Sequence, residues 1–398
     1  MDVTLSASAT DDCHPKGWVS CSLREVAPLQ RGFDLPRSKR REGAVPVVYS
    51  NGIESFHNRA MVKGPGVVTG RSGTLGKVHY VEGDFWPHNT SLWVTSFCGN
   101  VPRFVYHLFA AIGFERFASG SGVPTLNRSD AHTFRVVVPS DKNEQHRISE
   151  ALSTADAWIQ SLRDLLAKKR QIKQGTMQEL LTGRKRLPGF TDKWTTHRLG
   201  EFGATYGGLT GKVKKDFGHG AARFITFMGV MASVLLDVDG FQAVDVRAGE
   251  VQSKALKGDL FFNGSSETPE EVGLCSLLDV DVPDLYLNSF CFGFRVKSNA
   301  PVDRLFLAYY FRSNQGRELV KSLAQGATRY NLSKTALLKL EFALPELSEQ
   351  QAIALVLAEM DAEIGALEGK LAKAWQLKDG MMQALLTGAI RLPVDAAA

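Results

Sequence analysis

Two side-chain types can each place a pair of hydrogen bonds on one base edge. Arg does so with guanine and Asn with adenine, each pairing worth about 1–3 kcal/mol of discrimination. This sequence sets both types in short polar stretches between apolar runs. Early in the chain they are Asn51, Asn58-Arg59, Arg71-Ser72-Gly73-Thr74 with Lys77 just beyond, Asn89 and Arg128. Later come Lys212 with Lys214 and Lys215, Asn263 with Ser265 and Ser266, Asn288, and Arg329-Tyr330-Asn331. A basic run, Arg37-Ser38-Lys39-Arg40-Arg41, offers phosphate contacts, which carry affinity without sequence information and weaken as salt rises. Each stretch also has an ordinary structural use. Asn and Ser beside Gly are what tight turns require, and a charge run can be a solvated loop.

Other chemistries are missing from the pattern. Tyr206 stands where a phosphate-binding loop ending in Gly211-Lys212 needs its first glycine, and Val213 where it needs Ser or Thr. Gly64, Gly66 and Gly70 miss the dinucleotide spacing by one residue. There is no HExxH, no GxSxG and no Asn/Asp-Pro-Pro-aromatic tetrapeptide, and the nine histidines lack ligand spacing. The expectation is a non-catalytic chain with no metal and no bound cofactor of its own. Cysteines 13, 21, 98, 275 and 291 form no CxxC pair, the usage of reduced thiols in the cytoplasm. The polar start, Met1 to Gly17, is unlike a signal peptide. The most apolar stretch, Val101 to Phe114, is too short for a bilayer and contains Arg103 and His107, so no membrane partner is expected. Lys+Arg total 47 against Asp+Glu 42, a net +5 that permits a polyanionic partner without requiring one.

The elements that must hold these residues follow from a repeat. A chain of 398 residues with 44% hydrophobic and 22% charged residues has length for two or three folded domains. Residues 175–188, GTMQELLTGRKRLP, return as 380–393, GMMQALLTGAIRLP, with ten of fourteen positions identical at an offset of 205. The register extends upstream: Asp156 maps to Asp361, Leu162 to Leu367, and Glu144-Gln145 to Glu349-Gln350. Two fainter echoes have other offsets. Trp18-(x4)-Leu23-x-Glu25 resembles Trp194-(x4)-Leu199-x-Glu201, and Gly122-(x4)-Asn127-x-Ser129 resembles Gly326-(x4)-Asn331-x-Ser333.

The repeated segments read as long helices. Ile148, Leu152, Ala155, Ile159, Leu162 and Leu166 are spaced four and three alternately, as are Ile353, Leu357, Met360, Ile364, Leu367 and Leu371. That is a heptad seam, by which two helices bury a stripe against each other. Asp141 to Glu144 and Ser348 to Gln351 look like capping boxes, and Gly183 and Gly388 suit the left-handed position past each helix. Gly175 and Gly380 are candidate kinks. The blocks at 18–140 and 189–345 carry short strand runs such as 45–49, 66–69, 91–95, 258–262 and 290–296, with one helix candidate each at 101–119 and 302–323. The expected fold is α+β: two mixed α/β domains joined by two long antiparallel helices at 141–188 and 346–391, in a pseudo-twofold repeat, with tails at 1–17 and 392–398.

This layout resembles the specificity subunit of type I restriction–modification systems, from Trp18 to Pro393. The resemblance implies that each block is a target-recognition domain reading one half of a bipartite double-stranded DNA target, with the helices setting the unread spacer. It implies no catalysis by this chain. It also implies two modification subunits carrying S-adenosylmethionine, with restriction/translocase subunits joining them. Trp158, Trp375 and the pairs Leu180-Leu181 and Leu385-Leu386 are then candidates for docking the modification subunits. The second helix departs from strict symmetry, with Glu359, Asp361, Glu363 and Glu368 where the first has Lys168-Lys169-Arg170. The competing expectation is a stand-alone two-domain DNA-binding regulator.

Overall fold

The structure is a computed structural model describing residues 14–119 and 124–393. Most of the expected N-terminal tail, the end of the C-terminal tail and Gly122 lie outside the described residues. The chain divides into two compact units, residues 1–164 with 368–398, and residues 165–367. The division is not block-plus-helix. The central helix, Lys142–Leu180, gives its first part to one unit and its remainder to the other, and the C-terminal helix, Leu347–Leu386, does the reverse.

In the first unit, strands run in the order Leu29–Arg31, Ser91–Val94, Gly66–Gly70 and Val78–Val81 in one antiparallel sheet. A second sheet places Val45–Tyr49 between Gly52–His57 and Trp86–Pro87, the last pairing parallel. Trp18–Ser22 pairs with Arg135–Pro139 where the block meets the central helix. The second unit repeats this plan without repeating its sequence. Its four-stranded sheet runs Gly203–Gly207, Cys291–Val296, Leu260–Asn263, Cys275–Leu277. Its three-stranded sheet sets Phe217–Ile225 between Gln242–Val244 and a parallel Leu285–Leu287. Thr195–Arg198 pairs with Glu341–Leu344.

Both expected block helices are shorter than the apolar pattern suggested. The first ends at Ile112, since Gly113 follows with φ +67°, and a 3₁₀ turn continues at Phe114–Phe117. The second breaks into Arg304–Arg312 and Asn314–Ser322 because Ser313 turns extended and caps the next helix through Gly316 N.

Within each unit the two long helices run antiparallel. In the second, Lys169 meets Glu363 (2.6 Å), Lys173 meets Asp361, and Arg186 meets Glu349 (2.5 Å), one number falling as the other rises. In the first, Arg163 lies over Trp375 (5.0 Å), Lys378 meets Asp156 (2.5 Å), and Arg391 meets Glu144. The acidic stretch of the C-terminal helix is thus answered by the basic stretch of the central one. The seam residues Ile148, Leu152, Ala155, Ile159, Leu162, Leu166, Ile353, Leu357, Ile364 and Leu367 are buried, with Met360 and Leu371 partly so. Gly175 and Gly380 sit inside unbroken helices.

The caps differ from expectation. Asp141 Oδ1 accepts from Asn143 N (2.9 Å), but Glu144 is buried and engaged by Arg391 instead of closing a box. The C-terminal helix starts at Leu347, one residue before Ser348, which donates to Glu346 (2.5 Å).

The repeated motifs form one clasp, built twice. Arg186 grips buried Glu349 with two guanidinium nitrogens (2.5 and 2.6 Å) and reaches Asp192 O (2.8 Å). Arg391 grips buried Glu144 in the same way and reaches Lys16 O (2.9 Å). The neighbouring Gln145 donates to Pro139 O (2.8 Å) and accepts from Val101 N (2.9 Å); Gln350 does so with Pro345 O (2.9 Å) and Asp303 N (2.8 Å). Each Glu-Gln pair therefore ties a helix start to its block. Gly183 and Gly388, at φ +69° and +72°, end the helices. A Cβ there would press on Trp194 at 3.3 Å or Trp18 at 3.1 Å, so the glycine serves both the turn and the indole packed on it.

Candidate nucleic-acid interface

In the first unit, polar stretches far apart in sequence converge. Phe33 N donates to Pro87 O (2.8 Å), Arg71 N and Ser72 N donate to Thr90 O (2.8 and 3.1 Å), and Leu126 N donates to Arg71 O (2.8 Å). Ser72 bridges Thr125. These bonds bring residues 31–34, 71–72, 88–90 and 125–128 to one place. Arg31 pairs with Asp34 (3.0 Å), and the Asn89 amide donates to the same carboxylate. Arg128 is exposed at the start of the short helix Arg128–Thr133, which Asn127 caps through Ser129 N (3.0 Å). In the basic run, Arg37, Lys39 and Arg41 are exposed, and Arg40 lies over the Tyr49 ring (5.7 Å). Burial, with Arg40 nearby, holds the His88 pKa below the usual histidine value, so that ring is neutral at pH 7.

The second unit makes the same convergence with different side chains. Leu209 N donates to Leu287 O (2.8 Å), Gly264 N to Phe290 O (2.8 Å), and Leu332 N to Gly264 O (2.9 Å). Ser265 pairs with Asn331 and Ser266 with Tyr330. Arg329 reaches Ser265 Oγ (3.2 Å) and covers the Phe290 ring (5.3 Å).

Matched bonds show the two clusters to be one framework. His88 N bonds Val48 O (2.9 Å) and Ser91 N closes a turn on His88 O (2.9 Å); Asn288 N bonds Ile225 O (3.0 Å) and Cys291 N closes on Asn288 O (3.0 Å). Gly32 and Gly208 cross beneath these turns, where a Cβ would lie 2.2 Å from His88 O or 2.1 Å from Asn288 O. The turn His88-Asn89-Thr90 therefore corresponds to Asn288-Ser289-Phe290, and Arg71-Ser72 to Gly264-Ser265. The framework is the same and the side chains it presents are not. The echo near 127 and 331 is shifted by two: the matching caps are Asn127 and Ser333, not Asn127 and Asn331.

Several sequence candidates are corrected. Asn263 is fully buried, donating to Ser265 O and Glu271 O (3.2 and 3.0 Å) and accepting from Leu274 N (2.6 Å), so it braces its loop and faces no base. Ser265 and Ser266 are buried, and Ser266 donates to Glu271 (2.9 Å). The Lys212 side chain is 6% exposed and paired with Glu250 (2.5 Å), which takes it out of reach of phosphate. Asn288 is half-buried; its Oδ1 accepts from Phe290 N (2.9 Å), shaping the turn. Lys214 and Lys215 are exposed on a 3₁₀ turn, and Asn331 is exposed, its amide on Arg329 O (3.3 Å). In the first unit Thr74 is half-buried, its carbonyl close against Gly70. Asn51 sits at a hairpin tip bonded to Glu54 (2.5 Å), while Asn58, Arg59 and Lys77 are exposed; no side-chain hydrogen bond among the described residues ties these four to the cluster. Sequence reasoning missed Phe290, counted as strand although the strand begins at Cys291, and Asp34, which carries no signal beyond polar loop composition, whereas Thr90 fell within the candidate stretch His88-Asn89-Thr90.

The type I restriction modification DNA specificity domain matches residues 15–173 and again 192–374. The chain belongs to this family. A solved type I restriction-modification system S subunit from M. genitalium is similar over 97% of this chain and 99% of its own, at 14% identity and a TM-score of 0.63. A chain from a structure described as the basis of complex assembly and conformational transition of the type I R-M system is similar over 96% and 100%, at 15% identity and a TM-score of 0.58. At these identities the likeness is one of fold. The twofold match of the specificity domain coincides with the repeat. Two docking candidates of this specificity chain are overturned: Leu180-Leu181 and Leu385-Leu386 are buried in the cores of their own units. Trp158 is 45% exposed, and Trp375 is partly covered by Arg163 and Lys378. Among the described residues no helix is long and apolar enough to cross a membrane.

Proposed function

We propose that this chain is the DNA sequence-recognition subunit of a type I restriction–modification complex, acting in the cytoplasm. Each block reads one half of a bipartite duplex target. The long helices fix the interval between the halves and, through the face bearing Trp158, dock two modification subunits, which restriction/translocase subunits join. The observation that carries this reading is a single bonded framework built twice with unlike side chains on matching turns. Unlike side chains on matching turns are what two related domains need to read two unlike half-sites. Exposed Arg37, Lys39 and Arg41 supply phosphate affinity, and the turn residues supply discrimination. Methyl transfer belongs to the modification subunits, which hold S-adenosylmethionine; the role of this chain is to choose the site. The test is to map methylated adenines in cells with and without the chain. Methylation at a two-part sequence that vanishes with the chain supports the reading. Methylation unchanged by its loss, with specific DNA binding retained by the purified chain, would make it a stand-alone regulator.

A further inference from the structure

Exposed hydrophobic side chains are ordinary on protein surfaces, so exposure alone decides nothing. Phe290 differs in being both exposed, at 56%, and held from several sides. Its N–H is fixed by Asn288 Oδ1 (2.9 Å), its carbonyl by Gly264 N (2.8 Å), and the next residue closes the turn on Asn288 O (3.0 Å). One face of its ring carries the Arg329 guanidinium at 5.3 Å, itself braced on Ser265 Oγ (3.2 Å). An apolar ring is thus presented on a hydrogen-bonded backbone, beside a positive charge, within the second unit's polar cluster.

We propose that Phe290 reads a thymine, packing its open face and edge against the C5-methyl group in the major groove. This rests on the DNA-recognition reading above and names the residue that reads one position of the second block's half-site. The chemistry selects the partner. Arg329 attracts a polyanion, and the thymine methyl is the apolar feature on the major-groove edge of a base pair. A wedge driven between base steps would unstack them; with Arg329 over one ring face, the other face and the edge are what Phe290 offers a base. The corresponding residue of the first block is Thr90, whose hydroxyl lies 3.1 Å from His88 Nδ1. The two blocks therefore offer different apolar surfaces at one framework position.

The experiment uses the full chain with its modification subunits and duplexes carrying the mapped target, each thymine replaced in turn by uracil, which lacks only the methyl. For wild type, one replacement in one half-site lowers affinity roughly fourfold, the worth of about one buried methyl. Phe290→Ala abolishes that sensitivity and leaves the other half-site unchanged, while Phe290→Leu retains it. Phe290 is exposed, so neither change removes core packing. Equal sensitivity in wild type and Phe290→Ala, a half-site without thymine, or base unstacking reported by 2-aminopurine at that position would overturn the proposal while leaving bipartite recognition intact. Failure of the wild-type chain to select any two-part target would instead overturn the recognition reading, and this assignment with it.

Discussion

His107 lies in the first unit on the block helix facing the central helix. It is 1% exposed, its Nε2 lies 3.0 Å from Ser153 Oγ, and its Nδ1 lies 3.9 Å from Asp156, which Lys378 already holds. Burial pushes its pKa down to about 4; Lys378 and Arg103 push the same way, against Asp156. The ring is neutral in the folded protein at pH 7. Because the folded value lies below the unfolded value of about 6.5, its contribution is fully present above pH 6.5 and is lost as pH falls toward 4. The loss amounts to about 3 kcal/mol at about 1.4 kcal/mol per pH unit. His107→Gln should remove that part of the pH dependence in urea unfolding measured between pH 7 and 4, while the carboxylate contributions stay common to both proteins. Parallel curves for the two would contradict this account. The position was legible in sequence only as a histidine in an apolar stretch. Its counterpart, Tyr309, donates to Asp361 (2.7 Å), and no shared residue type links the two.

The long helices were the most legible elements, because a heptad seam repeats over enough turns to fix both period and register. Their ends were less so. Glu144 sits where the expected capping box would use it and Glu349 directly after Ser348, but a buried carboxylate must be paired, and the arginine that pairs each stands far along the chain. This clasp gives an element-scale prediction. Arg186→Ala leaves Glu349, which is fully buried, without its bidentate partner, and should cost about 3–5 kcal/mol in chemical denaturation. Arg391→Ala should cost less, since Glu144 keeps the indole N–H of Trp18 (3.3 Å) and the Arg391 side chain is already 48% exposed. Equal losses would show that the two clasps are not distinguished by these contacts. The block elements were harder to read. Strands two to nine residues long give little periodicity, and the turns at 88–90 and 288–290 share backbone bonding while no matching position carries the same residue. Only the bonds reveal that Phe290 and Thr90 correspond.

For the whole molecule, the repeat visible in sequence as 175–188 and 380–393 predicted two related halves, and the structure extends that relation to sheet order, parallel strand pairing and the turns of the candidate interface. Under the proposed function, unlike side chains on a shared framework let each block read on its own. The most direct measurement is to replace residues 189–345 with the corresponding block of another family member and to map methylated adenines in cells. One half of the target should change, with the other half and the spacing between them retained. A change in both halves, or an unchanged target, would contradict the account.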